Sequence, residues 1–224
     1  MGLIDTGIPN IEPRKVPVYL LIDISGSMKG ERIESVKLGI QDMLNALNND
    51  PYALETVHIS IITFGRNVEQ LLPLTSINKL QVPEITTDEY GPTHMGAALE
   101  ILLENVEKEV IKCTAEQKGD HRPILFILTD GQPTDKLLCN QVIPRVKSRK
   151  FNRIICCALG PTAKTEYLKL LTNEVYLIDT LDGVSLTKFI SGYSGFPGEY
   201  NINLSETDLS GDAYLAPPLE GLIL

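Results

Sequence analysis

The 224-residue chain sets 20 Lys and Arg against 29 Asp and Glu, a net charge of −9 with a pI near 4.9. A surface of that sign repels phosphate backbones and anionic lipid heads, which argues against nucleic acid and membranes as partners. Hydrophobic content of 43% with 22% charged residues excludes a disordered chain, and 6% aromatics with no Trp point to an aliphatic core rather than a large aromatic cleft. One α/β domain, able to bury well over half of its unfolded surface, is the expectation at this length.

Residues 1–15 read as an N-terminal extension without a basic-then-apolar leader, and no apolar run reaches the roughly 18 residues of a membrane span. A cytoplasmic location is therefore expected. Residues 16–22, VPVYLLI, are apolar on both faces, as a parallel strand covered by helices must be. A helix is predicted from Glu31 to about Asn48, with Ile33, Val36, Ile40, Leu44 and Leu47 on one face and NDP at 49–51 ending it. TVHISIITF (56–64) and NVEQLLPL (67–74) read as two strands paired across Gly65 and Arg66, which makes one antiparallel edge.

After a long loop, a second amphipathic helix is expected from Met95 to about Cys113. RPILFILTD (122–130) is the strongest central-strand signal and, like the first strand, ends in an Asp. A helix near 136–149, a strand at 153–159, a short helix near 164–171, a strand at 175–179 and a last helix near 183–191 complete the pattern. The βα alternation predicts a doubly wound, mostly parallel central sheet with one antiparallel edge strand, a Rossmann-like domain over 16–194. Residues 195–224 hold five acids and no Lys or Arg, so this acidic tail carries five of the nine net negative charges. Its Tyr200, Ile202, Leu204, Tyr214 and final LEGLIL are more apolar than a solvating tail requires. Cys113, Cys139, Cys156 and Cys157 are spaced as reduced thiols, the adjacent pair pointing to opposite faces of a strand.

Ligands of open parallel sheets gather at the carboxyl ends of the strands. Asp23 and Asp130 stand at two such ends, Ser25 and Ser27 follow the first, and Gly26 between them lets the loop turn tightly. Thr93, in EYGPTHMGAAL, arrives on the same rim at the start of the second helix. Carboxylates and small hydroxyls without His or Cys suit a hard cation, Mg²⁺ better than the larger Ca²⁺, with Mn²⁺ as a substitute.

In DISGSM, GPTHMGAAL and LTDGQPTD, spaced along nearly all of residues 16–191, the chain resembles the von Willebrand factor A domain with its metal-ion-dependent adhesion site. Within that family, VPVYLLIDISGSMKGERIESVKLGIQDMLNAL and QKGDHRPILFILTDGQPTD are similar to the bacterial TerY group of tellurium-resistance-type proteins. The resemblance implies Ser25 and Ser27 as direct metal ligands, Thr93 as a ligand directly or through water, and Asp23 and Asp130 acting mostly through bridging waters. One coordination position would remain for an Asp or Glu of a partner protein, with Gly26, Met28 and His94 as candidates for partner contact. It further implies a cytoplasmic scaffold, monomeric by default, in a stress response whose kinase and phosphatase are the natural partners. Pro92 departs from the family's usual second Gly before the Thr and stiffens that loop.

Two other functions are weighed against this one. A Mg²⁺-dependent phosphatase or hydrolase using an aspartyl-phosphate would want an acid two residues after Asp23, where Ser25 stands, so the chain is expected not to be an enzyme. A structural protein working through its acidic tail would bind through residues 195–224. Ordinary capping accounts for Asp135, and a first-turn dipole preference for Glu31 and Glu34.

Overall fold

The computed structural model describes residues 13–178 and a strand at 213–215. Among the described residues seven strands form one sheet in the order β3-β2-β1-β4-β5-β6-β7. They are β1 (Val16–Asp23), β2 (Val57–Phe64), β3 (Val68–Ser76), β4 (Ile124–Thr129), β5 (Arg153–Leu159), β6 (Val175–Ile178) and β7 (Ala213–Leu215). The five strands from β2 to β6 run parallel, and β3 is antiparallel to β2 as expected. The far edge adds an unexpected second antiparallel pair, Tyr176 with Leu215 through Ile178 with Ala213, so part of the acidic segment belongs to the sheet. The helix expected near 183–191 and the remainder of 195–224 lie outside the described residues.

Among the described residues five α-helices accompany the sheet: α1 (Glu31–Asn48), α2 (Pro51–Thr56), α3 (Met95–Glu109), α4 (Lys136–Ser148) and α5 (Glu166–Leu171). Alternate strand residues face opposite layers. Val18, Leu20 and Ile22 of β1 pack with Ile33, Val36, Ile40 and Met43 of α1, whereas Tyr19 and Leu21 pack with α3 and α4 residues such as Leu99, Leu102 and Val142. Cys157 joins the first core and Cys156 the second, as adjacent strand residues must. All four cysteines are free thiols, Cys113 exposed and the other three buried.

Two element boundaries differ from the sequence expectation for local reasons. Asp50, read as part of a helix stop, also starts α2: its carboxylate accepts from the N–H groups of Tyr52 (2.8 Å) and Ala53 (3.3 Å), with Pro51 in the first turn. Helix α3 ends at Glu109 rather than near Cys113 because Ile111 pairs with Asp120 instead of continuing the helix. The Ile111 N–H donates to the Asp120 carboxylate at 2.8 Å, and the Asp120 N–H donates to the Ile111 carbonyl at 2.9 Å.

Glu109 closes a part-buried polar network between the sheet and α3. It accepts from the Tyr19 hydroxyl at 2.9 Å, from Gln70 Nε2 at 2.9 Å and from the Leu74 N–H at 3.4 Å. Glu109→Ala leaves Tyr19, itself 0% exposed, without its acceptor. The expected cost is about 1–3 kcal/mol in urea unfolding, against less than about 0.5 kcal/mol for Glu104→Ala on the exposed face of the same helix.

Candidate metal centre

The direction of winding reverses between β1 and β4. The chain leaves β1 through α1 toward β2 and β3, and leaves β4 through α4 toward β5 and β6, on the opposite layer. Loops diverging to opposite faces open a crevice at the carboxyl ends of these two neighbours, the usual ligand position of a doubly wound sheet. Parallel pairing of Ile22 with Leu128 aligns the two ends, so Asp23, closing β1, lies beside Thr129, which closes β4, and Asp130, which follows it.

Asp23 is 0% exposed and both its oxygens are engaged. Oδ1 accepts from the Ser25 N–H at 2.8 Å and Oδ2 from the Thr129 hydroxyl at 2.5 Å. Burial pushes this carboxyl up from 3.8 to about 6; the Thr129 and Ser25 hydrogen bonds work the other way, and the charge of Asp130 adds to the rise. The Ser25 and Ser27 hydroxyl oxygens are 3.2 Å apart, and Ser27 donates to Asp130 Oδ1 at 2.8 Å. With that proton directed to Asp130, Ser25 is the donor between the two serines, and one lone pair of Ser27 remains for a cation.

Two further segments hold the rim. The Asp88 N–H donates to the Ile24 carbonyl at 2.8 Å, and Asp88 Oδ2 accepts from the Arg66 N–H at 2.8 Å, fastening the loop before α3 to the ends of β1 and β2. The fit at Gly26 is close: a β-carbon there would stand 2.8 Å from the Glu89 carbonyl oxygen, so only glycine allows the two loops to meet. Asp135 accepts from the N–H groups of Gly96 (3.1 Å) and Ala97 (3.0 Å), and the Thr134 N–H donates to the Thr93 carbonyl at 2.9 Å. Asp135 is thus a helix cap, though of α3 rather than of α4, which it precedes. Thr93 is 8% exposed, and its hydroxyl stands 4.0 Å from where a β-carbon on Gly131 would lie.

Asp23, Ser25, Ser27 and Asp130 therefore form one hydrogen-bonded cluster, and Thr93 is tethered to the loop that follows Asp130. Among the partner-contact candidates, His94 is half-buried on the rim, its Nδ1 3.0 Å from the Arg66 carbonyl oxygen. Met28 is a correction: the turn at Gly26–Met28 aims it inward, where it is 0% exposed in the core beneath α1 and closed to any partner. Sequence reasoning missed Thr129, the hydroxyl that holds Asp23. It also missed Arg32, whose guanidinium meets Asp130 Oδ2 at 3.2 Å. The TD step at a strand end signalled Thr129; nothing in the linear order signalled Arg32.

The donor set fits a hard divalent cation. A buried carboxylate with a raised pKa gains from a neighbouring positive charge, and oxygen donors with no His or Cys among them suit Mg²⁺ or Mn²⁺. Among the described residues no group of three or more His, Cys, Asp or Glu is placed to hold a metal, so hydroxyls would have to complete the coordination.

The profile of the von Willebrand factor type A domain matches residues 18–180, most of the chain. The chain belongs to the von Willebrand factor type A domain family. No curated protein matches it. Solved structures share its fold at low identity. The ArnB paralog VWA2 from Sulfolobus acidocaldarius is 20% identical with a TM-score of 0.54, over 81% of this chain and 45% of that one. Proximal thread matrix protein 1 from the mussel byssus, described with a zinc-occupied MIDAS motif, is 16% identical with a TM-score of 0.53, over 80% and 45%. The manganese-loaded TRAP protein of Plasmodium vivax is 21% identical with a TM-score of 0.56, over 80% and 74%. The von Willebrand factor A chain thus spans less than half the length of the first two. No helix among the described residues is long and apolar enough to cross a membrane.

Because Asp23 binds its proton more tightly folded than unfolded, it stabilises the metal-stripped domain below pH 3.8, and that contribution is lost as pH rises through about 6. Ionised Asp23 is the form a cation favours. A divalent cation held in this crevice should consequently bind more weakly as pH drops through about 6, and Asp23→Asn should abolish that dependence together with most of any binding while leaving the metal-stripped melting temperature unchanged or higher. Calorimetric titrations at several pH values, with thermal melts of both proteins, measure both effects.

Proposed function

We propose that this chain is a metal-dependent protein-interaction module, in which Mg²⁺ held at the β1–β4 crevice grips an acidic side chain of a partner protein. Ser25 and Ser27 ligate the ion directly, Thr93 directly or through water, and Asp23 and Asp130 through bridging waters. The observation that carries the reading is the cluster itself: two separate segments bring two carboxylates and two serine hydroxyls together at the switch point of the sheet, and a third, carrying Thr93, is tethered to the loop after Asp130. Both Asp23 oxygens already accept hydrogen bonds from the protein, which supports an outer place for that carboxylate. Asp130 is similarly engaged by Ser27 and Arg32. A cation with few anionic ligands stays electron-poor and attracts an incoming carboxylate, a recruiting chemistry that supplies charge and direction but no nucleophile.

A binding role is favoured over a phosphatase or hydrolase by the identity of the residues around Asp23. Ser25 occupies the position at which aspartyl-phosphate chemistry would place its acid, and its hydroxyl contacts Ser27. The metal-occupied MIDAS motif of the mussel protein and the manganese-loaded TRAP protein are consistent with a divalent cation here too. The likeness of VPVYLLIDISGSMKGERIESVKLGIQDMLNAL and QKGDHRPILFILTDGQPTD to the TerY group supports a cytoplasmic scaffold in a bacterial stress system of the tellurium-resistance type, with its kinase or phosphatase as partner. Tyr90, in the loop before α3, and Leu137, in the first turn of α4, are each 82% exposed at the same end of the sheet and offer that partner apolar contact.

Isothermal titration of Mg²⁺ and Mn²⁺ into metal-stripped protein tests the reading. Wild type is expected to bind a single ion, and Ser25→Ala and Asp130→Ala, checked for native circular dichroism, to lose at least about tenfold in affinity. Absence of any binding to the wild type would overturn it. Proteins captured from a bacterial lysate with Mg²⁺ and released by chelator should be missing when Ser25→Ala is the bait.

A further inference from the structure

Arg32 is the one positive side chain found in contact with the carboxylate cluster among the described residues. It reaches from the first turn of α1 across the ends of β4 and β5. Nη1 donates to the Ser27 carbonyl at 2.6 Å and meets Asp130 Oδ2 at 3.2 Å. The two Asp130 oxygens are thereby divided: Oδ1 faces the Ser27 hydroxyl, on the side of Ser25, and Oδ2 faces the guanidinium.

The surroundings have made room for this group. Gly160, at φ +93° just after β5, would with a β-carbon approach Arg32 Nε to 3.1 Å and Nη2 to 3.2 Å, closer than ordinary contact. Arg32 Nε is buried and has no hydrogen-bond partner among the described residues. A guanidinium set down with one donor unsatisfied is held there by charge more than by hydrogen bonding. The Asp130 side chain it meets is only 6% exposed, so the pair is poorly screened by water.

We infer that Arg32 is a resident counter-cation of the metal centre. It neutralises the outer oxygen of Asp130, keeps the two-carboxylate cluster assembled when no divalent ion is bound, and by its positive charge holds the affinity for that ion down. This rests on the metal reading above and adds what sets the strength of binding: the protein supplies part of the positive charge itself, so the site exchanges its cation instead of trapping it. Arg32 acts through Asp130 and Ser27 as a positioning residue.

The experiment compares wild type with Arg32→Gln, Arg32→Met and Arg32→Lys. Mg²⁺ binding is followed by calorimetry, and thermal melts are run on metal-stripped and Mg²⁺-saturated protein. Removing the charge should tighten Mg²⁺ binding roughly tenfold, the effect of one unit charge on a divalent ion a few ångströms away even at a water-like dielectric. The same neutral variants should melt lower than wild type when stripped and regain more of their melting temperature on adding Mg²⁺. Arg32→Lys should keep an affinity close to wild type. A purely structural clamp predicts the opposite sign, since losing it would loosen the loop and weaken the metal. Neutral variants that fold and bind no more tightly than wild type would overturn the inference while leaving the metal site standing. Failure of both neutral variants to fold would show a structural clamp and overturn it equally. If neither wild type nor folded variants bind the ion, the inference falls together with the metal reading.

Discussion

The parallel pairing of β1 with β4 is the constraint on which the rest depends. Residues far apart in sequence, Asp23 and Asp130, become neighbours because Ile22 lies opposite Leu128. A slip of one residue would exchange the two cores, sending Tyr19 and Leu21 to the α1 layer and exposing the site carboxylates to the wrong face. The register is enforced by burial: every residue of β1 and β4 is buried, and alternate side chains commit to different helices. The geometry of the crevice is in this sense a by-product of hydrophobic packing in two layers.

Electrostatically the crevice is set against the fold around it. Burying Asp23 at the end of an apolar strand costs stability that its two hydrogen bonds only partly recover, as its raised pKa records. Asp130 is treated differently, with Arg32 beside it. One carboxylate is left short of positive charge and the other is supplied with it. A divalent ion near Ser25 and Ser27 would relieve the first without needing to release the second. That asymmetry is a physical account of how a site can stay folded without its ion and still attract it.

The loops around the crevice show a second economy. Asp88 and Asp135 lie close to the cluster, yet their carboxylates are occupied by backbone N–H groups: Arg66 for the former, Gly96 and Ala97 for the latter. Capping the first turn of α3 with Asp135 locks the Thr93 segment against the loop that follows Asp130. The acids around the crevice thus divide into those that shape the loops and those that join the oxygen cluster, and hydrogen-bond partners, more than proximity, tell them apart.

Much of this was legible in the residue order. Continuous apolar runs at 16–22 and 124–129 announced covered parallel strands, the 3.6-residue rhythm of Ile33, Val36 and Ile40 announced α1, and the oxygen-rich strand ends announced the crevice, because these are local consequences of burial and period. The end of α3, the β7 edge, the inward turn of Met28, the capping of α3 by Asp135 and the Arg32–Asp130 pair were not legible. Each depends on a contact that no periodicity encodes: Asp120 for Ile111, β6 for residues 213–215, the buried core for Met28, Gly96 and Ala97 for Asp135, and the β4 end for Arg32. The amino-acid order by itself therefore determined which residues could bind a cation and which strands would carry them, since side-chain chemistry and periodicity are properties of the chain. Only the tertiary structure decided how those oxygens share their protons and charges, since hydrogen bonds and ion pairs across the switch point exist only once β1 and β4 lie side by side.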